Sequence, residues 1–177
     1  MFFDLFLKLI IKYTSEEQKS IIFNSLEYAS NQQRYNGYRR KYNIDESFKF
    51  NGKDILFNGE GKIICGAKSY MGDYSTIEAV KDCKVQIGVN CSISHNVRIY
   101  TLNKKADQDL SLTELELVSG DVIIEDNVWI GANVFIKEGI TIGSNSVVGA
   151  NSIVTKNIPS NSISGGVPAR LIKMKNY

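Results

Sequence analysis

The sequence is poor in histidine, in paired cysteines, in net charge and in long hydrophobic runs. Its 177 residues hold one histidine, so no multi-histidine zinc site can form. The three cysteines, Cys65, Cys83 and Cys91, make no CxxC pair and are odd in number, which fits free thiols in a reducing compartment. A net charge of +2 is too small to mark nucleic acid or an acidic surface as partner. The apolar run from Phe2 to Ile11 is broken by Asp4 and Lys8 and falls short of the ~20 residues a membrane span needs. No small-residue cleavage site follows it, which speaks against a signal peptide. What remains is the composition of a soluble globular chain, 43% apolar and 23% charged, long enough to bury a core without disulfides or metals.

The N-terminal run reads as a helix docked on the protein's own surface or on a neighbouring subunit, with an interfacial membrane helix as the alternative. Thr14 to Glu17, "TSEE", reads as a capping box opening a second helix to about Gln33. Gly37 and the basic "YRRKYN" then close a helical appendage over residues 1–45.

Within residues 46–177, from Cys65 onward, a period of six takes over, which neither a helix nor a strand sustains. An inward position i falls at Ile124, Ile130, Ile136, Ile142, Val148 and Val154 without a gap. Cys65, Met71 and Ile77 hold the same register earlier, as do Ile87, Ile93 and Ile99. Two positions before i stand Val122, Val128, Val134, Ile140, Ser146 and Ser152, so each repeat carries a short strand. Gly131, Gly143 and Gly149 follow at i+1, where a chain turning a corner is expected to need permissive backbone. The twelve i positions make four turns of a three-sided coil.

This pattern and the ending "GANSIVTKNIPSNSISGGVPARLIK" resemble the hexapeptide-repeat acyltransferases, over roughly Ile63 to Lys173, and within them the bacterial sugar and polysaccharide O-acetyltransferases. The resemblance implies a left-handed parallel β-helix, here over residues 46–177, with a loop at 101–121 and a C-terminal tail at 157–177. It also implies association around a threefold axis, acetyl-CoA as donor without a metal, and a sugar or glycan acceptor. Carbonic anhydrases on this fold need three histidines and are excluded. The short N-terminal region leaves no room for a nucleotidyltransferase domain or for the longer helical domain of serine O-acetyltransferases.

Stacking the turns at the ~4.8 Å spacing of paired strands aligns one edge of the prism. It reads "GDY" (Gly72 to Tyr74), "SHN" (Ser94 to Asn96), "GAN" (Gly131 to Asn133) and "GAN" (Gly149 to Asn151). His95 then lies between Asp73 and Ala132. Acetyl transfer to a hydroxyl needs a base, a group that steers its tautomer, and donors for an oxyanion. His95 and Asp73 are the candidates for the first two, and backbone N–H groups near Ala132 for the third. By resemblance, the donor's pantetheine arm lies beside Gly131, Ala132, Gly149 and Ala150, and its nucleotide end near Thr155, Lys156, Arg170 and Lys173. Trp129 faces outward, toward the cofactor or a neighbouring subunit. Many relatives carry their histidine later, at a position that here is Lys104.

Between Ile99 and Ile124 lies far more chain than one step requires, and loops of that length are usually functional. Tyr74, Tyr100, Asn103, Lys104, Asp107 and Asp109 are candidates for the acceptor's hydroxyls. The expected activity is O-acetylation of a sugar in the cytoplasm, or at the membrane's inner face if the N-terminal helix docks there. The alternatives are an amino-sugar N-acetyltransferase and a non-catalytic trimeric scaffold.

Overall fold

The computed structural model describes residues 2–176 and divides into two compact units at Gly37 and Tyr38. The first unit holds α1 (Phe2–Tyr13) and most of α2 (Glu16–Lys41). The cap between them is displaced by one residue from the expected box. The Ser15 N–H donates to Gln18 Oε1 at 2.9 Å, and the Gln18 N–H donates to Ser15 Oγ at 3.2 Å. Thr14 instead closes α1, its hydroxyl donating to the Ile10 carbonyl. Helix α2 runs past Gln33 and through Gly37. Arg39, Arg40 and Lys41 in its last turn suit the negative end of the helix dipole. Tyr38 stacks on Phe57 at 5.1 Å, which anchors that last turn and offsets the ~1 kcal/mol cost of a mid-helix glycine.

The second unit is a parallel β-helix with three sheets. Its first turn holds β1 (Asn43–Ile44), β2 (Lys49–Asn51) and β3 (Leu56–Asn58). The second holds β4 (Lys62–Cys65), β5 (Tyr70–Gly72) and β6 (Thr76–Glu78). The third holds β7 (Lys84–Ile87), β8 (Ser92–Ile93) and β9 (Arg98–Tyr100). An antiparallel hairpin of β10 (Leu102–Lys104) and β11 (Leu117–Ser119) then leaves the coil. The fourth turn is β12 (Val122–Ile124), β13 (Trp129–Ile130) and β14 (Phe135–Ile136). The fifth is β15 (Thr141–Ile142), β16 (Val147–Val148) and β17 (Ile153–Val154). A closing hairpin, β18 (Ser162–Gly166) and β19 (Ala169–Met174), extends the second sheet.

There are thus five turns, one more than the period revealed. The first turn was hidden because its step from Phe50 to Phe57 is seven residues, and because phenylalanines replace the aliphatic inward residues. Phe48, Phe50, Phe57, Tyr38 and Tyr42 cluster there as an aromatic cap over the open end of the core. All twelve expected i positions are buried. The serines two positions before i turn inward without cost to the core. Ser146 and Ser152 donate back to the carbonyls of Gly143 and Gly149 at 2.6 Å each.

The corners work differently from the glycine expectation. The left-handed residue is at i+3, where Lys68, Tyr74, Asn90, Asn96, Asn127, Asn133, Asn145, Asn151 and Asn161 all have φ between 54° and 59°. Asparagine tolerates that region better than most residues. Gly131 and Gly143 serve close approach instead: a Cβ would stand 2.6 Å from the Ala150 nitrogen on the first and closer still to the Ser160 nitrogen on the second.

Candidate functional site

The corner between the second and third sheets carries the same backbone bond from turn to turn. The N–H of Tyr74 donates to the Lys53 carbonyl at 3.0 Å, and that of Asn96 to Asp73 at 2.7 Å. The N–H of Asn133 donates to the His95 carbonyl at 3.1 Å, and that of Asn151 to Ala132 at 2.8 Å. Lys53, Asp73, His95, Ala132 and Ala150 therefore form one column, and His95 lies between Asp73 and Ala132. Asparagine side chains rivet its flank: Asn96 Nδ2 donates to Asn133 Oδ1 at 2.8 Å, and Asn133 Nδ2 to Asn151 Oδ1 at 3.0 Å.

His95 is exposed, and the group beside its Nδ1 is the Ser94 hydroxyl, 3.3 Å away. Asp73 does not bond to the ring. Its Oδ1 accepts the Lys53 N–H at 2.7 Å, one turn in the opposite direction, and only a glycine at 52 leaves room for that carboxylate. The N–H groups of Ala132 and Ala150 donate to no partner among the described residues. At Ala132 and Ala150 the side chain extends no further than Cβ.

The other expected residues scatter around this edge. Tyr74 is exposed, with Lys53 Nζ 6.0 Å from its ring centroid. Tyr100 sits edge-on to Phe135 at 5.6 Å. Trp129 points outward from β13 between Ser92 and Val147, 57% exposed. Thr155, Lys156, Arg170 and Lys173 are exposed at the C-terminal end of the coil. Two adjoining clefts of about 400 and 370 Å³ lie elsewhere, around Glu60, Gly61 and Lys62. Among the described residues no group of His, Cys, Asp or Glu is arranged to hold a metal ion. Nor is any described helix long and apolar enough to cross a membrane.

The family described as "Hexapeptide repeat of succinyl-transferase" matches residues 121–156, the fourth and fifth turns. The crystal structure of a maltose O-acetyltransferase from Clostridium difficile 630 is 36% identical, with a TM-score of 0.58, covering 75% of this chain and 72% of that one. This chain belongs to the hexapeptide-repeat acyltransferases. A galactoside acetyltransferase in complex with coenzyme A is 30% identical, with a TM-score of 0.68, covering 93% of this chain and 85% of that one. The polysialic acid O-acetyltransferase of Escherichia coli O1:K1 / APEC is 37% identical over 131 residues, 73% of this chain and 42% of the relative. The chain spans about half the length of the curated relatives it matches.

In this hexapeptide-repeat acyltransferase, the hairpin arm carries the remaining expected residues. Thr101 at its root is buried, its hydroxyl donating to the Glu78 carbonyl and accepting from the Val80 N–H. Asn103 Nδ2 donates to Glu138 Oε2, and the other oxygen of that buried carboxylate is 2.7 Å from Lys137 Nζ. Lys104, next in chain, is exposed and pairs with Leu117. At the tip, Asp109 accepts from the N–H and hydroxyl of Ser111, which lowers its pKa, and it serves the local turn. Asp107 is exposed. Sequence reasoning missed Ser94, the asparagine ladder and Glu138. Asparagine at i+3 in turn after turn was the readable signal for the ladder, whereas nothing local marked Glu138 as buried.

Proposed function

We propose that this chain transfers an acetyl group from acetyl-CoA to a sugar hydroxyl, with His95 as general base. The observation that carries the reading is the column itself: the only histidine stands one turn from Ala132 and two from Ala150, whose N–H groups have no partner among the described residues. Gly131, Ala132, Gly149 and Ala150 suit the pantetheine arm because they leave the backbone accessible. Lys156, Arg170 and Lys173 supply cations near the end of that strip for the nucleotide phosphates.

Acetyl-CoA supplies the activated acyl group as a thioester. When His95 Nδ1–H donates to Ser94 Oγ, Nε2 keeps its lone pair and can take the acceptor's hydroxyl proton. The Ala132 N–H donates to the carbonyl oxygen as negative charge builds there. His95 then returns the proton to the departing sulfur. Asp73 holds the corner that supports His95, through the Lys53 N–H. Tyr74, Tyr100, Trp129 and the arm residues Asn103 and Lys104 frame the acceptor. A homotrimer in the cytoplasm completes the reading: on a single chain the edge around His95 is open, and a neighbouring copy would wall it.

Calorimetric titration of the purified chain with CoA tests the donor site. Saturation near one CoA per chain is expected, unchanged in His95→Ala. Absence of binding up to millimolar CoA would overturn the proposal in favour of a non-catalytic scaffold.

A further inference from the structure

His95 divides its edge of the coil into two unlike halves. Toward the fourth and fifth turns the column continues as Ala132 and Ala150, without charge. Toward the second and first turns it continues as Asp73 and Lys53, and Tyr74 takes the corner position that asparagine holds in the later turns. With the donor on the alanine side, the reading of the site on which this inference rests, the acceptor meets His95 from the side of Tyr74.

One cation is fixed on that side. Each Nδ2 of the asparagine ladder donates to the following turn, Asn96 to Asn133 and Asn133 to Asn151, so each Oδ1 is turned to the preceding one. Asn96 Oδ1 meets no further asparagine, and Arg98 Nη2 donates to it at 3.2 Å. The same row of the third sheet holds Leu56, Thr76, Phe135 and Ile153, so Arg98 is its only charged residue, and it falls in the histidine's own turn. The bond to Asn96 uses one of the guanidinium's five N–H donors, and Arg98 joins no ion pair among the described residues. The Asp73 carboxylate accepts from the Lys53 N–H instead.

An asparagine ladder does not need such an end. Another stands at the corner between the first and second sheets, where Asn90 Nδ2 donates to Asn127 Oδ1 at 2.8 Å. Its last oxygen, Asn90 Oδ1, accepts nothing among the described residues, and the residue two beyond it is Ser92. Only the ladder beside His95 carries a guanidinium.

We infer that Arg98 reads the acceptor by taking a carboxylate carried on the sugar, so the substrate class is an acidic glycan. A guanidinium presents parallel N–H groups that match the two oxygens of a carboxylate, and Asn96 steadies it from one side while leaving donors for that fork.

The test measures equilibrium binding and acetyl transfer together, on the full chain. The probes are oligomers of galacturonate, glucuronate and N-acetylneuraminate, each beside its methyl ester, and galactose 1-phosphate. At least one acid should bind and be acetylated about tenfold better than its ester. Arg98→Gln should raise KM for that acid about tenfold with kcat little changed, Arg98→Lys should recover part of the loss, and neither should alter use of the ester. Equal use of acid and ester overturns the inference, as does failure of every acid to bind at millimolar concentration. So do equal losses on acid and ester in Arg98→Gln, which a purely structural end to the ladder would give, and tighter binding of the phosphate than of any acid. Binding of an acid that depends on Arg98, without transfer to any probe, would uphold this inference and remove the transferase reading; transfer without preference for the acid would do the reverse.

Discussion

Two corners of the same prism have been treated in opposite ways. At the corner that carries His95, the step from one inward residue to the next is six residues in four turns of five: Met71 to Ile77, Ile93 to Ile99, Ile130 to Ile136, Val148 to Val154. At the corner between the third and first sheets the step varies: Phe57 to Cys65, Ile77 to Ile87, Ile99 to Ile124, Ile136 to Ile142. Insertions have collected at one edge, and another has stayed uniform enough to stack Asp73, His95, Ala132 and Ala150 in a line. The corner between the first and second sheets is uniform too, with a step of six in every turn from Ile44 to Phe50 through Ile142 to Val148, so changes of length are confined to the edge that carries the arm, apart from the single extra residue between Phe50 and Phe57.

The sharpest way to break this comparison is to insert the same two residues, Gly-Ser, at each corner. After Ala132 the insert displaces the asparagine ladder and the registers of β14 and β17, and no cooperative thermal transition should survive. After Asp109, at the tip of the arm, loop closure costs well under ~0.6 kcal/mol, and the melting temperature should hardly move. Equal losses at both sites would mean that the two corners are equally constrained and would remove the basis of the contrast.

The next effect is on turnover. His95→Ala should lower acetyl transfer by about 10²–10⁴-fold, the usual worth of a positioned base, with CoA affinity unchanged. Ser94→Ala should cost less, and Asp73→Asn least, because the Asp73 carboxylate accepts from Lys53 and not from the ring. Steady-state rates at saturating donor distinguish them. A larger loss in Asp73→Asn than in Ser94→Ala would restore the carboxylate as the group that steers the base.

The uniform corner was also the legible one. A period of six identifies inward residues because each turn repeats the same burial, so Ile124 through Val154 and the placing of His95 under Asp73 could be read from spacing alone. The first turn was not legible, since Phe50 to Phe57 breaks the period and aromatic side chains do the capping. The pairing of Asp73 was not legible either: a column fixes which residues are neighbours, but not whether a carboxylate turns toward the preceding turn or the following one. Glu138 is buried, and its partner Asn103 lies 35 residues away at the arm's root, so no local pattern links them.

Within the uniform corner, two glycines that look alike in sequence separate in the structure. A Cβ on Gly131 would meet the Ala150 nitrogen at 2.6 Å and its Cα at 2.9 Å, both backbone atoms that cannot swing aside. On Gly149 the nearest atom would be the Ser164 carbonyl oxygen at 3.6 Å, an ordinary contact. Gly131→Ala should therefore destabilise by about 1–3 kcal/mol, as overpacking does, and Gly149→Ala by less than that. Urea midpoints of the two variants decide it, and equal shifts would mean that the corner relaxes freely.

The smallest expected effect concerns the rivets. Asn133 has φ 58° and gives and takes a side-chain hydrogen bond in the ladder. Asn133→Ala loses both bonds and puts an alanine where left-handed backbone costs ~1–2 kcal/mol relative to the right-handed form, although asparagine bears part of that cost already. Asn133→Gly loses the same two bonds but relieves the backbone. If conformation dominates, glycine should be nearly neutral and alanine should lower stability by about 1 kcal/mol. If the exposed ladder bonds dominate, both variants should fall together, and the asparagines would then be selected for pairing from turn to turn and not for their tolerance of the corner.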